Sequence, residues 1–186
     1  MHIDTLNTER LCLRAWQDND LAPFAALNAD SQVMAYFPAP LTPAASAAQA
    51  AQIRQFMQQH GWGLWAVERS SVAPFIGFVG LNRVEDGLPI APCVEIGWRL
   101  SAAHWGHGYA TEAANAALAY AFQRLQLAEV VSFTAVLNRP SQRVMERIGM
   151  ICDDETFEHP RVPAGHPLRT HVVYRLTAQR WQKQVC

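Results

Sequence analysis

The stretch EIGWRLSAAHWGHGYATEA, residues 95–113, decides how the rest of the chain is read. Within VEIGWRL, Val94, Ile96, Trp98 and Leu100 face one side and Glu95, Gly97 and Arg99 the other, the period of a β-strand. Gly97 inside that strand marks a bulge, or a place where a ligand or another backbone comes close. From Gly108 to Leu125, apolar residues fall at 110, 113, 114, 117, 118, 121, 122 and 125, which draws one stripe along a helix. Between the two elements stands HWGHG. A glycine pair ahead of a helix makes either a plain turn or a cradle in which an anion approaches the unpaired N–H groups of a helix start, and a diphosphate suits such a cradle. The nucleotide motifs that compete with this reading fit poorly. No lysine with serine or threonine closes a phosphate loop, and Gly106, Gly108 and Ala110 lack the full dinucleotide spacing.

Outward from this segment the chain alternates helical and strand patterns. Residues 9 to 16 predict a strand, and Asp18 and Asp20 precede a short capped helix carrying Leu21, Phe24 and Leu27. After the proline-broken FPAPLTP, Thr42 and Pro43 are suited to the cap and first position of a helix that runs to about His60. Strands are expected over 63–69, 74–84 and 93–100, with short connections that favour an antiparallel meander. A strand at 129–137, with Val131, Phe133, Ala135 and Leu137 on one face, follows the long helix. A helix from about Pro140 to Ile148 then stops at Gly149, and strands near 150–157 and 169–177 close the chain. The expected architecture is a mixed α/β domain in which strands 93–100 and 129–137 are joined through the long helix.

The 186 residues suit one domain, taken as 1–186. Half are apolar and 17% charged, as in an ordinary soluble globular protein. A net charge of −1 gives no broad positive field to recruit nucleic acid or an anionic membrane. Cys12, Cys93, Cys152 and Cys186 show no paired zinc or redox spacing and are expected as reduced thiols. With no signal-like start and no apolar run of membrane-spanning length, the expected setting is cytoplasmic, as monomer or homodimer.

Residues 95–113 together with AVLNRPSQRVMERIGM, residues 135–150, resemble the GNAT superfamily of N-acetyltransferases, and within it the Rim-type branch that acetylates ribosomal-protein N-termini. Trp105 stands where other members carry glutamine or arginine ahead of the glycines. The resemblance implies a GNAT fold, a mixed and mostly antiparallel central sheet flanked by helices with two splayed central strands. It implies acetyl-CoA as cosubstrate, with its pyrophosphate on the backbone amides from Gly106 through His107, Gly108 and Tyr109 to Ala110. The pantetheine arm is expected against backbone near Trp98 and Leu100, which would account for Gly97.

Acetyl transfer to an amine needs a neutral amine, an oxyanion site and a tolerable leaving group. An α-amine is about a tenth neutral at pH 7, whereas a lysine costs roughly 4–5 kcal/mol to deprotonate. Glu95 is the candidate base, acting through water, with a solvated or structurally paired strand carboxylate as the alternative. Many superfamily members place a tyrosine where this chain has Met145. The resemblance to the Rim-type branch therefore nominates Ser141 as acid, with Asn138 orienting it or binding the cofactor. The run Asn138-Arg139-Pro140-Ser141 is equally a good helix start in which both side chains only cap backbone. Arg143 is a candidate for the 3′-phosphate. Glu112 is assigned to the helix dipole. His104 and His107 lack a third ligand, so no metal is expected. Tyr36, Phe37, Trp62 and Trp65, with Asp153, Asp154, Glu155 and Glu158, are candidates to line the acceptor groove, with core aromatics and a solvated acidic run as the alternatives. The acceptor is expected to be a primary amine, either a peptide N-terminus or a small molecule. A non-catalytic acyl-CoA-binding module is the alternative.

Overall fold

The computed structural model describes residues 2–185, so Cys186 lies outside the described residues, while Cys12, Cys93 and Cys152 are free thiols. The strands are β1 (Leu6–Asn7), β2 (Leu11–Arg14), β3 (Leu64–Arg69), β4 (Ala73–Val84), β5 (Cys93–Leu100), β6 (Glu129–Ala135), β7 (Ile151–Glu158) and β8 (Thr170–Thr177). The helices are α1 (Leu21–Ala29), α2 (Pro43–His60), α3 (Tyr109–Ala119), α4 (Arg139–Arg147) and α5 (Ala178–Val185). The strands form one mixed sheet in the order β1-β2-β3-β4-β5-β6-β8-β7, mostly antiparallel. The chain groups into two compact units, Met1–Leu81 with Gly97–Ala117, and Asn82–Ile96 with Leu118–Cys186. No described helix is long and apolar enough to cross a membrane.

In the first unit, β2, β3 and the start of β4 make the expected antiparallel meander, with Leu13 opposite Val67 and Trp65 opposite Val79. Leu11, Leu13, Trp65, Val67, Ile76 and Val79 are all but fully buried. Gly77 has a φ of +140°, and a Cβ there would collide with the Arg99 carbonyl and the Leu100 Cα, so only glycine lets β4 lie this close to β5. Arg14 is held by both oxygens of buried Asp20, at 2.8 and 2.9 Å, by Glu68 at 3.0 Å and by the Pro74 carbonyl. That set fastens the turn after β2, and removing one partner of such a pair costs about 3–5 kcal/mol. Helix α2 starts as its sequence requires. The Thr42 hydroxyl accepts from Ala45 N–H at 3.2 Å, Pro43 takes the first position, and the helix buries Ser46, Ala50, Ile53 and Met57 along one face before ending at Gly61 in the left-handed region.

In the second unit β5 and β6 pair in parallel with Glu95 opposite Val131, and the Ser132 hydroxyl donates to the Ile96 carbonyl at 2.9 Å. Strand β6 is in antiparallel register with β8 from Glu129–Thr177 through Ala135–His171. The one-faced pattern expected of β6 is corrected here. Val130, Val131 and Ser132 are buried in succession, so both faces are covered at this end, and Leu137 lies exposed beyond the strand. The long helix is regular only to Ala119. A π-helical turn, Tyr120–Arg124, follows, in which Leu125 N–H reaches the Tyr120 carbonyl at 3.1 Å, and the apolar stripe continues through Ala121 and Phe122. Helix α5 was absent from the sequence reading. The one large apolar anchor among its described side chains is Trp181, which is buried against Phe122 with ring centroids 5.3 Å apart.

Candidate functional site

At the end of β5, Ser101 N–H donates to the Ile76 carbonyl at 2.9 Å, and a single 3₁₀ turn, Ala102–His104, leads to the glycines. The Trp105 indole N–H donates back to the Leu100 carbonyl at 2.8 Å, which folds this loop against the strand it leaves. Gly106 and Gly108 adopt φ of +77° and +80°, the left-handed region that favours glycine. Glu112 N–H donates to the Gly108 carbonyl at 3.0 Å, which closes the first turn of α3. The N–H groups of Tyr109, Ala110 and Thr111 therefore sit at the helix start with no intrahelical acceptor. The surface in front of them is open: a Cβ on Gly106 would meet nothing within 4 Å, and one on Gly108 only the Arg10 guanidinium at 3.6 Å.

Two arginines border this turn, and one of them, Arg10, is paired with Glu112. The Tyr109 ring is buried beneath Arg10 and Arg69, whose guanidinium carbons lie 4.7 and 5.5 Å from its centroid, and His107 stacks on it at 5.5 Å. Burial, Arg69 and His107 together hold His104 below the ordinary histidine range. Sequence reasoning missed Arg10 and Arg69, because nothing local connects them to residues 104–110. Glu112 does more than face the helix dipole. It accepts from the Thr8 hydroxyl at 2.6 Å, from Arg10 N–H at 2.9 Å and from the Arg10 guanidinium at 2.6–2.7 Å, and so clamps the N-terminal segment to α3. On β5, Trp98 is half-buried, Leu100 is buried, and a Cβ on Gly97 would meet nothing within 4 Å. Gly97 is thus neither strained nor crowded by another backbone.

In the second unit Glu95 is half-buried and accepts from the Asn82 side chain at 3.2 Å. Burial pushes its carboxyl above the usual range, against the opposing pulls of Asn82 and Arg161. Asn138 caps α4 and also contacts the Ser141 hydroxyl. Its Oδ1 caps α4 by accepting Ser141 N–H at 3.3 Å, while its Nδ2 donates to the hydroxyls of Ser141 at 3.1 Å and Thr134 at 2.8 Å. Ser141 Oγ is therefore used as an acceptor, which leaves its proton free to be donated. Arg143 is exposed on α4. Met145 is 2% exposed and belongs to the core.

Several groove candidates take structural roles. Trp62 and Trp65 are buried, since their large apolar faces are worth more inside than lining a surface. Asp153 pairs with Arg175 at 2.7 Å, and Glu158 with Arg169 at 2.9 Å. Tyr36 is half-buried and Phe37 is exposed on the loop before α2. Among the described residues no group of three or more His, Cys, Asp or Glu is placed to hold a metal ion.

A mixed sheet, with a parallel strand pair joined through a helix that opens on a glycine turn, defines an α/β protein whose helix start offers unpaired amides to an anionic group such as a diphosphate. The open left-handed glycines and unpaired amides fit that group without displacing any side chain. Residues 10–151 match the acetyltransferase (GNAT) domain, and the chain belongs to this family and is an N-acetyltransferase. The chain is 33% identical over 153 residues to the uncharacterized protein YkkB of Bacillus subtilis (strain 168), covering 78% of this chain and 84% of that one. It is 28% identical over 148 residues to the uncharacterized N-acetyltransferase YoaA of the same organism, covering 77% and 81%. Among solved structures it superposes on Mycobacterium smegmatis RimJ in complex with CoA-disulfide with a TM-score of 0.74 at 20% identity, over 100% of this chain and 98% of that one.

Proposed function

We propose that the protein transfers the acetyl group of acetyl-CoA to a primary amine by direct attack of the amine in a ternary complex. The observation that carries this reading is the turn of Gly106 and Gly108, open to solvent, with the N–H groups of Tyr109, Ala110 and Thr111 unpaired and Arg10 and Arg69 beside it. The amides of Gly106, His107, Gly108, Tyr109 and Ala110 hold the pyrophosphate. Trp105 contributes its exposed ring, since its N–H is already used, and backbone at Trp98 and Leu100 guides the pantetheine arm past Gly97. Arg143, exposed on α4, is assigned to the 3′-phosphate. Acetyl-CoA supplies the thioester carbonyl that the amine attacks.

Glu95, its proton affinity raised by burial, takes the proton of the incoming ammonium through water. The Ser141 hydroxyl, held by Asn138 with its proton free, is assigned to donate to the departing sulfur, so that CoA leaves as the thiol and Ser141 regains the proton that the nitrogen sheds as the amide forms. A thiol is acidic enough for this help to be modest, about tenfold. No acyl-enzyme is required, because no nucleophile among the described residues is activated for one.

Trp105 ahead of the glycines favours the Rim-type branch and hence a peptide N-terminus as acceptor, with a small amine as the other choice. Incubating the protein with acetyl-CoA and a panel of peptides and amines, with free thiol as the readout, tests the proposal. Thiol release that depends on an amine is expected. CoA binding with no turnover on any amine would instead mark an acyl-CoA-binding module.

A further inference from the structure

Buried in the first unit is a guanidinium that the acetyl-transfer scheme does not use. Arg99, on β5, is 8% exposed. Its Nη1 donates to Oδ1 of Asn28, on α1, and to Oε1 of Gln49, on α2, at 3.4 Å. The Asn28 amide is fixed in that orientation by its own donation to Ser46 at 3.2 Å. Phe37 lies over the guanidinium at 4.3 Å and Phe78 at 5.4 Å. Among the described residues Arg99 pairs with no carboxylate. Its Nε is buried without any hydrogen-bond partner, and no partner engages Nη2.

A buried cation without a counter-ion is expensive, and proteins of this kind pair or neutralise it. Burial with no compensating anion lowers the Arg99 pKa to about 10, still far above neutrality, so the charge is carried at pH 7. The two donors left free, Nε and Nη2, are adjacent on one edge of the planar group. That edge is the fork that accepts the two oxygens of a carboxylate in parallel. The opposite end is occupied by neutral amide oxygens that orient the fork and leave its charge intact. Of the two rings over it, Phe78 belongs to β4 and is buried, whereas Phe37 is exposed on the 30–42 loop.

We propose that Arg99 is a specificity-determining residue whose free edge binds a carboxylate carried by the acceptor amine, so that the preferred acceptors are amino acids or similar amino-carboxylates. This inference rests on the acetyl-transfer reading and, of its two acceptor choices, selects the small amine over the peptide N-terminus. Asn28 and Gln49 act as positioning residues that hold the fork, and Phe37 covers it.

The test compares glycine, β-alanine and γ-aminobutyrate with their carboxamides as acceptors, with kcat/KM read from thiol release. At least one acid is expected to exceed its amide by about 10- to 100-fold, the scale of charge-assisted hydrogen bonds. Arg99→Met should reduce that ratio to about one while leaving CoA affinity unchanged. Because Arg99→Met removes a buried group, Gln49→Glu provides a second variant on a half-buried helix position. An internal carboxylate beside Nη1 should cancel the preference and raise thermal stability. Equal rates for acids and amides in the wild type, or a preference that survives both substitutions, overturns the proposal. So does a stronger preference for phosphoethanolamine over every carboxylate, which assigns the fork to a phosphate. Thermal shift by the same acids and amides without acetyl-CoA separates the two readings. Stabilisation by an acid, lost in Arg99→Met, upholds the carboxylate fork even if no amine turns over, whereas turnover without any acid preference removes the fork and leaves acetyl transfer standing.

Discussion

Asn138 holds Ser141 twice, once through the main chain and once through the hydroxyl. Its Oδ1 accepts Ser141 N–H at 3.3 Å and its Nδ2 donates to Ser141 Oγ at 3.1 Å. Ser141→Ala removes the hydroxyl and leaves the cap. Turnover should fall about tenfold with CoA affinity unchanged, as measured by steady-state kinetics beside calorimetric binding. Asn138→Ala loses the cap as well and should lower stability by about 1 kcal/mol. Unchanged turnover in Ser141→Ala would return this pair to a helix cap alone.

Glu95 gives a prediction with two opposite readouts. Its carboxyl is pushed above the ordinary range by burial, so kcat/KM should fall as pH drops through that raised value. In Glu95→Gln this limb should vanish and the rate above it should drop about tenfold, a small factor because an α-amine is already partly neutral. Stability moves the other way. A raised carboxyl pKa favours folding fully below the unfolded value, and that contribution is lost as pH rises through the folded one. Glu95→Gln should therefore melt higher than wild type at pH 8 and no higher at pH 4, as calorimetry at the two pH values would show.

The Glu112 clamp predicts acid sensitivity of the opposite sign. Burial pushes the Glu112 carboxyl up, but hydrogen bonds from the Thr8 hydroxyl and from Arg10 N–H and guanidinium outweigh it, and the net shift is downward. A lowered carboxyl pKa stabilises the fold above the unfolded value, and the gain disappears as pH falls through the folded value. Glu112→Gln should cost about 1–3 kcal/mol at pH 7, with the difference from wild type shrinking toward pH 3. A chemical denaturation series against pH measures it.

At the turn, Gly108→Val places a branched side chain on a residue at φ +80° and in front of the helix amides. CoA affinity should fall more than about tenfold, beyond what any loss of stability produces. Titration calorimetry at a temperature where the variant remains folded is the check. Undiminished affinity would count against the turn as the diphosphate cradle.

Much of the framework was legible without coordinates. The alternation of residues 93–100 gave a strand with those bounds, Thr42 and Pro43 marked the start of α2, and Gly149 stands in the left-handed region just beyond α4. The reading failed where tertiary contact outweighs local pattern. Strand β6 was assigned one buried face because Val131, Phe133 and Ala135 alternate, yet covering on both sides buries Val130 and Ser132 as well. Helix α5 carries one large apolar anchor among its described side chains, Trp181, and too little periodicity to announce itself. Trp62 and Trp65 were offered to the acceptor groove because type alone does not tell an inward from an outward aromatic.

By itself the sequence determined the strand, the glycine turn and the helix that follows, because strand period, helix stripe and the left-handed preference of Gly106 and Gly108 are set within a few residues of chain. Only the tertiary structure decided where the charges end. Glu112 is fastened to Arg10 across 102 positions of sequence, and Arg99 reaches Asn28 across 71 but meets no carboxylate there. The reason is physical. Local geometry comes from steric preferences that act along the backbone, whereas the pairing of an ion depends on which distant segments packing brings within a few ångströms of it.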